Sequence, residues 1–321
     1  MTQKILQDFE KQIAEIDKEI EKLKISALER GENTSDELTS LESTRDNLLK
    51  NFFSNMDAWD NALLARHQKR PYTLDYVRNV FDEFIELHGD RLYADDHAMV
   101  CGIGNIGEEQ VAFVGQQKGR DLKDRQFRNF GSAKPEGYRK AMRVMKLAEK
   151  YKRPVVCFVD TPAADCSVGA EERGISEAIA RNMMDMISLK VPVIAIVIGE
   201  GGSGGAIGIA VANKVAMLEH SIYSVIPPEG CAAILWRDPT KAKDAAQALK
   251  INADNAKELG VIDDIIAEPL GGAHRNVEET AENIKTYILK CIKELKAKSG
   301  DTLAEERYNK FRNFGKFLNE A

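Results

Sequence analysis

Apolar residues recur at spacings of three and four through Phe9, Ile13, Ile16, Ile20 and Leu23, which places them on one stripe of a helix. The stripe lapses over Glu29–Asn33, where Gly31 and Asn33 favour a turn. Thr34, with Glu37 three residues on, matches a capping box, and Leu38, Leu41, Leu48, Phe52 and Met56 mark a second helix. Residues 1–66 therefore read as a helical hairpin arm. An apolar stripe has to bury against something, so the arm either braces the main domain or docks a partner subunit.

Pro71 ends the arm, and the pattern changes to mixed α/β. Val100–Ile106 and Gln110–Gly115 read as paired strands joined at Gly107-Glu108, and 135–151 reads as a helix with Pro135 near its first turn. Two similar units follow. Arg153–Val159 is a continuous apolar run leading through a loop to a helix from about Ala170. Val191–Ile198 is another, leading through a glycine-rich loop to a helix from about Ser203. Such runs, alternating with helices, are the mark of parallel strands buried on both faces. Their loops fall at one sheet edge, at the carboxyl ends of the strands, where open α/β sheets bind ligands.

The chain has 321 residues, 43% hydrophobic and 30% charged, enough apolar side chain for a substantial core. A net charge of −6 argues against a general nucleic-acid binder, and no run of about 18 apolar residues suits a membrane span. The N-terminus lacks the apolar segment of a signal peptide. Five scattered cysteines, without a CxxC pair, suit a reducing cytoplasm better than a disulfide framework or a structural zinc site.

Gly199-Glu200-Gly201-Gly202-Ser203-Gly204-Gly205-Ala206 is the most informative local feature. Glycine permits positive φ and lets a ligand approach bare N–H groups, and a following helix adds the positive end of its dipole. The loop therefore suits a phosphate or a developing oxyanion; the competing reading is a close-packed helix–strand crossing. It is neither a Walker A loop nor a dinucleotide fingerprint. Side-chain catalysis finds little support. His67, His88, His97, His220 and His274 have no metal spacing, and Cys166 lacks a linked histidine in its loop. Glu171-Glu172-Arg173 suits a helix start with an ion pair as well as a site role. Lys118 and Arg120 flank a loop glycine and suit contact with a ligand or subunit. Arg128, Lys134, Arg139, Lys140 and Arg143 read as a solvated face, with a polyanionic cofactor such as coenzyme A as the alternative.

At this point the residues resemble a known family, the carboxyltransferase alpha subunit of multisubunit bacterial and plastid acetyl-CoA carboxylase. The matching stretches include Arg70-Pro71-Tyr72-Thr73-Leu74-Asp75-Tyr76, Gly89-Asp90-Arg91 with Tyr93–Asp96, Gln117-Lys118-Gly119-Arg120, Arg128-Asn129-Phe130-Gly131 and Pro135–Lys140. They continue through Gly169–Gly174, Ile198–Ala206, Pro228-Glu229-Gly230 and Glu268–Arg275. The resemblance implies a crotonase-like ββα spiral over 67–296, behind the 1–66 arm, with a C-terminal helical tail over 297–321. It implies a cytoplasmic alpha2beta2 heterotetramer acting with biotin carboxylase and a biotin carboxyl carrier protein in an ATP-using complex. Within it, carboxyl moves from carboxybiotin to acetyl-CoA, giving malonyl-CoA for fatty acid synthesis. Zinc is expected on the beta subunit and no metal on this chain.

The resemblance gives Gly204 and Gly205 the role of oxyanion donors. Gly201, Gly202, Ser203, Ala206, Gly169, Lys118 and Arg120 would lie on the carboxybiotin side. One stretch departs from the family, which usually reads Asp-Thr-Pro-Gly-Ala-Tyr-Pro-Gly after its first parallel strand. Here Ala163 and Ser167 replace glycines, Asp165 an aromatic and Cys166 a proline. Such changes would strain any position needing positive φ, remove a flat wall for biotin, and set a carboxylate against an anionic substrate. The departure makes a non-catalytic assembly paralogue conceivable, and a subunit of another biotin-dependent acyl-CoA carboxylase or decarboxylase stands as a separate alternative.

Overall fold

The structure, a computed structural model, describes residues 3–30 and 35–315. The expected turn at Gly31–Asn33, the Thr34 cap and the last residues of the tail lie outside them. Helices α1 (Gln3–Arg30) and α2 (Ser35–Ser54) pair as a hairpin; α3 (Ala58–Ala65) and α4 (Thr73–Val80) lead into the body. The sheet contains β1 (Glu83–Glu86), β2 (Met99–Ile106), β3 (Glu109–Gln116), β4 (Val155–Thr161), β5 (Val193–Gly202), β6 (Lys214–Leu218), β7 (Ile222–Ser224) and β8 (Asp264–Ile266). Between and after these strands run α5 (Leu122–Phe127), α6 (Pro135–Lys150), α7 (Val168–Glu172), α8 (Ile175–Ser188), α9 (Ser203–Ile207), α10 (Pro228–Trp236), α11 (Ala242–Leu249), α12 (Ala253–Glu258), α13 (Val277–Lys296) and α14 (Gly300–Arg312). The strand order is β1-β2-β3-β4-β5-β6-β8, with β7 alongside the end of β5. The first three strands are antiparallel and the rest parallel.

Alternation along the central strands sends side chains to opposite faces. Val155, Cys157 and Val159 of β4, with Val193, Ala195 and Val197 of β5, pack among residues of α6 and α8. Val156 and Phe158, with Ile194, Ile196 and Ile198, pack beneath Tyr76 and Val77 of α4 and Ile284, Ile288 and Ile292 of α13. Both faces are covered, which is why these strands read as unbroken apolar runs. Arg307 of α14 is fully buried and donates to the carbonyls of Met186, Leu189 and Val191, fastening the last helix to the start of β5.

In the arm, Phe9 stacks on Phe52 with ring centroids 3.7 Å apart, and Ile13, Ile20 and Leu49 are buried. The hairpin is latched to the body of the same chain. Glu10 lies 3.1 Å from His67 Nε2 and 3.4 Å from His274 Nε2, and Arg275 donates to Asp17 at 2.7 Å. Burial pushes the Glu10 carboxyl up, but hydrogen bonding and charge from His274 and His67 outweigh it and bring it down to about 2.

Candidate functional site

The glycine-rich stretch is mostly strand. β5 runs on through Gly202, because Glu200, Gly201 and Gly202 pair in parallel with Ile222, Tyr223 and Ser224 of β7. The chain turns at Ser203, at φ 52°, while none of the glycines from Gly199 to Gly205 has positive φ. The expectation that these glycines supply left-handed backbone is thus corrected. They are small because other atoms lie where a Cβ would be. On Gly199 it would fall 2.5 Å from Asp160 Oδ1; on Gly202 it would overlap the Pro162 carbonyl oxygen; on Gly205 it would lie 2.6 Å from the Ala164 nitrogen. Gly204 has room, with Ile179 at 3.7 Å. The expected helix is also short, five residues, so discrete amides matter here more than a helix dipole.

Those amides are uncapped. No side chain caps the first turn of α9, and no carbonyl outside it accepts from the amides of Gly204 or Gly205 among the described residues. Their carbonyls, by contrast, are fixed from behind. Gly208 donates to the Gly204 oxygen at 3.1 Å. Buried Gln116 Nε2 and Tyr138 Oη donate to the Gly205 oxygen at 3.0 and 3.1 Å. The other end of the Gln116 amide accepts from the Asp160 N–H, and Asn182 donates to the Tyr138 and Gly208 carbonyls. Sequence pattern does not single out Gln116, Tyr138 and Asn182, which belong to β3, α6 and α8. The turn therefore presents fixed donors without bonded partners, the arrangement that stabilises charge appearing on an oxygen.

Lys118 and Arg120 both bond within the chain. Lys118 Nζ sits 2.8 Å from Asp160 and 2.8 Å from Glu200. Arg66 joins this network at 2.7 Å from Glu200 and 2.6 Å from Glu229. Burial raises the Glu200 carboxyl, but Lys118 and Arg66 outweigh it and hold it at about 2. Burial pushes the Lys118 ammonium down, yet the two carboxylates carry it above its usual range. Arg120 stacks 4.0 Å over Tyr72, pairs with Asp75 and donates to the Arg70 carbonyl at 2.8 Å. Deeper still, Arg70 is bidentate to buried Glu268 and donates to the Ile198 carbonyl just ahead of Gly199. The basic residues of α6 hold the 88–97 loop instead of facing solvent: Arg139 pairs with Asp90, Lys140 with Asp95, and Arg143 donates to the Gly89 carbonyl.

The departing loop after β4 is unstrained. Neither Ala163 nor Ser167 has positive φ. Ser167 caps α7, accepting from the Ala170 amide at 3.3 Å, and Asp165 accepts from the Ser167 amide and hydroxyl. Gly169 lies in the first turn of α7, and the helix breaks at left-handed Gly174 before α8. Cys166 is exposed.

Two other chemistries fit the site less well. Gly201-Gly202-Ser203-Gly204-Gly205 places a left-handed serine between strand and helix, the shape of a nucleophile elbow. Among the described residues no imidazole bonds to the Ser203 hydroxyl, so the base such chemistry requires is not in place. Glu10, His67 and His274 are metal-ligating types within reach of one another. Nε2 of both histidines faces Glu10, at 3.1 and 3.4 Å, so the trio already serves as the latch between arm and body. A cleft of about 180 Å3 adjoins the glycine turn, lined by Arg66, Tyr72, Lys118, Arg125, Phe130 and Pro162.

The family model described as acetyl co-enzyme A carboxylase carboxyltransferase-like matches residues 6–315. The chain is 53% identical over 311 residues to a Staphylococcus haemolyticus protein named acetyl-coenzyme A carboxylase carboxyl transferase subunit alpha, covering 97% of this chain and 99% of that one. The protein of the same name in Staphylococcus aureus RF122 is 52% identical over the same length. Among solved structures, a transcarboxylase 12S with methylmalonyl-coenzyme A bound superposes with a TM-score of 0.58 at 18% identity, over 72% of this chain and 43% of that one. A Pseudomonas malonate decarboxylase MdcD–MdcE heterodimer gives 0.59 at 16% identity, over 74% and 95%. These likenesses show the crotonase-like fold.

Proposed function

The chain belongs to the family of acetyl-CoA carboxylase carboxyltransferase alpha subunits, and we propose that the amides of Gly204 and Gly205 are where it does its work. Its function is carboxyl transfer in acetyl-CoA carboxylase, from carboxybiotin to acetyl-CoA, giving malonyl-CoA for fatty acid synthesis. Carboxybiotin is a substrate here, delivered on a carrier protein, and it supplies the carboxyl group. Negative charge develops on the ureido oxygen as that group leaves as CO2; the biotin anion then takes a proton from the acetyl methyl, charge moves to the thioester oxygen, and the resulting enolate attacks the CO2. Both oxygens call for fixed N–H donors. The carrying observation is the uncapped turn Ser203–Gly205, with its carbonyls held from behind by Gly208, Gln116 and Tyr138. Gly201, Gly202, Ser203, Ala206 and Gly169 shape the surface around the donors. Lys118 and Arg120 act by holding the strand ends and the Arg70–Asp75 segment in register.

The chain works with a beta subunit in an alpha2beta2 assembly, in the cytoplasm, with zinc on the beta subunit, and alongside biotin carboxylase and the carrier protein of the ATP-using complex. A body over 67–296 with a 297–321 tail carries the site, and the 1–66 arm braces it. The alternative of a non-catalytic paralogue rests on the loop after β4, and its substituted residues adopt ordinary backbone there. The test mixes the chain with a beta subunit, biotinylated carrier and acetyl-CoA under carboxylating conditions and follows malonyl-CoA. The expected result is turnover that needs both subunits; a stable assembly without malonyl-CoA would reject this reading in favour of the paralogue.

A further inference from the structure

Asn129, Phe130 and Gly131 are three consecutive left-handed residues, at φ 44°, 55° and 81°. Glycine takes that conformation freely and asparagine tolerates it, but a bulky phenylalanine there is a true outlier. The surroundings impose it. A Cβ on Gly131 would lie 2.8 Å from Lys118 Cγ and 3.3 Å from the Asp160 carbonyl oxygen, and Asn129 Nδ2 donates to the Ser132 carbonyl. The strain is not offset by core packing, since Phe130 is 49% exposed. A strained residue that gains little from burial points to a role at the surface it faces.

That surface is the cleft beside the glycine turn, which Phe130 shares with Tyr72 and Pro162. The Pro162 carbonyl abuts Gly202, so cleft and turn are contiguous. Three cations and one carboxylate, Glu200, line the cleft. Arg66 and Lys118 are neutralised by Glu200, Glu229 and Asp160. Arg125 is not: among the described residues its guanidinium donates only to the Gly119 carbonyl, at 3.2 Å, and no carboxylate lies in ion-pair reach. At about 180 Å3 the space is smaller than the ~300–1,000 Å3 of sites for drug-sized ligands, and suits one small ring system better than a nucleotide.

We infer that Phe130 and Arg125 form a subsite for a planar, anionic group, the N-carboxylated ureido ring of carboxybiotin. The inference rests on the carboxyl-transfer reading above and adds the side chains that recognise one of its two substrates. The ring stacks on Phe130 and the carboxylate faces Arg125. The test runs the transfer backwards, with the alpha–beta complex, malonyl-CoA and free biotin, each varied separately. Phe130→Gly should raise the KM for biotin about tenfold, as the loss of one stacking face does, while the KM for malonyl-CoA stays within about twofold. The same variant should keep or raise Tm, because the strain is relieved; a merely structural phenylalanine would lower it. Phe130→Tyr should restore the wild-type biotin KM, and Arg125→Met should lower kcat/KM for biotin by about fivefold or more. An unchanged biotin KM in Phe130→Gly, or a rise confined to malonyl-CoA, would overturn the subsite. A wild-type complex with no malonyl-CoA-dependent turnover would instead overturn the functional reading beneath it.

Discussion

The two parallel strands β4 and β5 end side by side in turns of opposite character. At the end of β5 and in the turn beyond it, glycines at 199, 202 and 205 leave no room for a methyl group, and the Gly205 carbonyl is gripped by two buried side chains. After β4, the chain carries alanine, aspartate, cysteine and serine where the family has glycines, an aromatic and a proline, yet its backbone is ordinary and Ser167 caps the next helix. The first turn is constrained by close approach at its glycines; the second shares that contact through its backbone, but its side chains from 163 to 167 are half-buried or exposed. Substitutions should therefore be felt at the β5 turn and pass almost unnoticed after β4. The two turns touch, Gly202 against Pro162 and Gly205 against Ala163 and Ala164, so one loop is the wall of the other.

Lys118 joins both strand ends, and Lys118→Met would leave Asp160 buried without its cation and Glu200 with Arg66 alone. A loss of about 3–5 kcal/mol is expected, read as a lowered Tm in the purified chain. The pH dependence follows in sign. Glu200 titrates at about 2 in the folded chain, against an ordinary glutamate value of 4.5. Its stabilisation is therefore complete above 4.5 and disappears as pH falls towards 2, and a Glu200→Gln variant should show a shallower loss across that window. Gly205→Ala would press a methyl group on the Ala163–Ala164 backbone and displace the donors, with turnover falling about 10²–10³-fold in the assembled complex. Tyr138→Phe removes one of two bonds to the Gly205 oxygen. Stability should fall by about 0.5–1.5 kcal/mol, with a larger effect on kcat than on KM in steady-state assays. At the bottom of the scale, Ser167→Gly should cost a few tenths of a kcal/mol by denaturant titration and leave turnover unchanged.

Much of this architecture is legible in the chain itself. The apolar runs at 153–159 and 191–198 give the buried parallel strands because both sheet faces are covered. The stripe through Phe9, Ile13 and Ile20 gives the arm, and its docking in cis follows from Glu10, His67 and His274, which pattern alone does not bring together. The strand character of Gly199–Gly202 is not legible, since glycines have no side chains to alternate and the partner strand β7 is three residues long. Nor is the clamp. Gln116, Tyr138 and Asn182 converge on the turn from three separate elements, and nothing local distinguishes them from other polar residues. The Arg70–Glu268 pair, 198 residues apart in sequence, is hidden for the same reason. Family resemblance marks both stretches, but only the folded chain shows that they meet.

The most direct test of the donor role leaves volume untouched. Replacing Gly205 by glycolic acid turns its N–H into an ester oxygen, so one donor is lost and no atom is added to the crowded turn. If the amides of Gly204 and Gly205 stabilise the developing oxyanions, the assembled complex should bind acetyl-CoA normally and form malonyl-CoA about 10²–10³-fold more slowly. Wild-type turnover from the ester-containing chain would contradict the account.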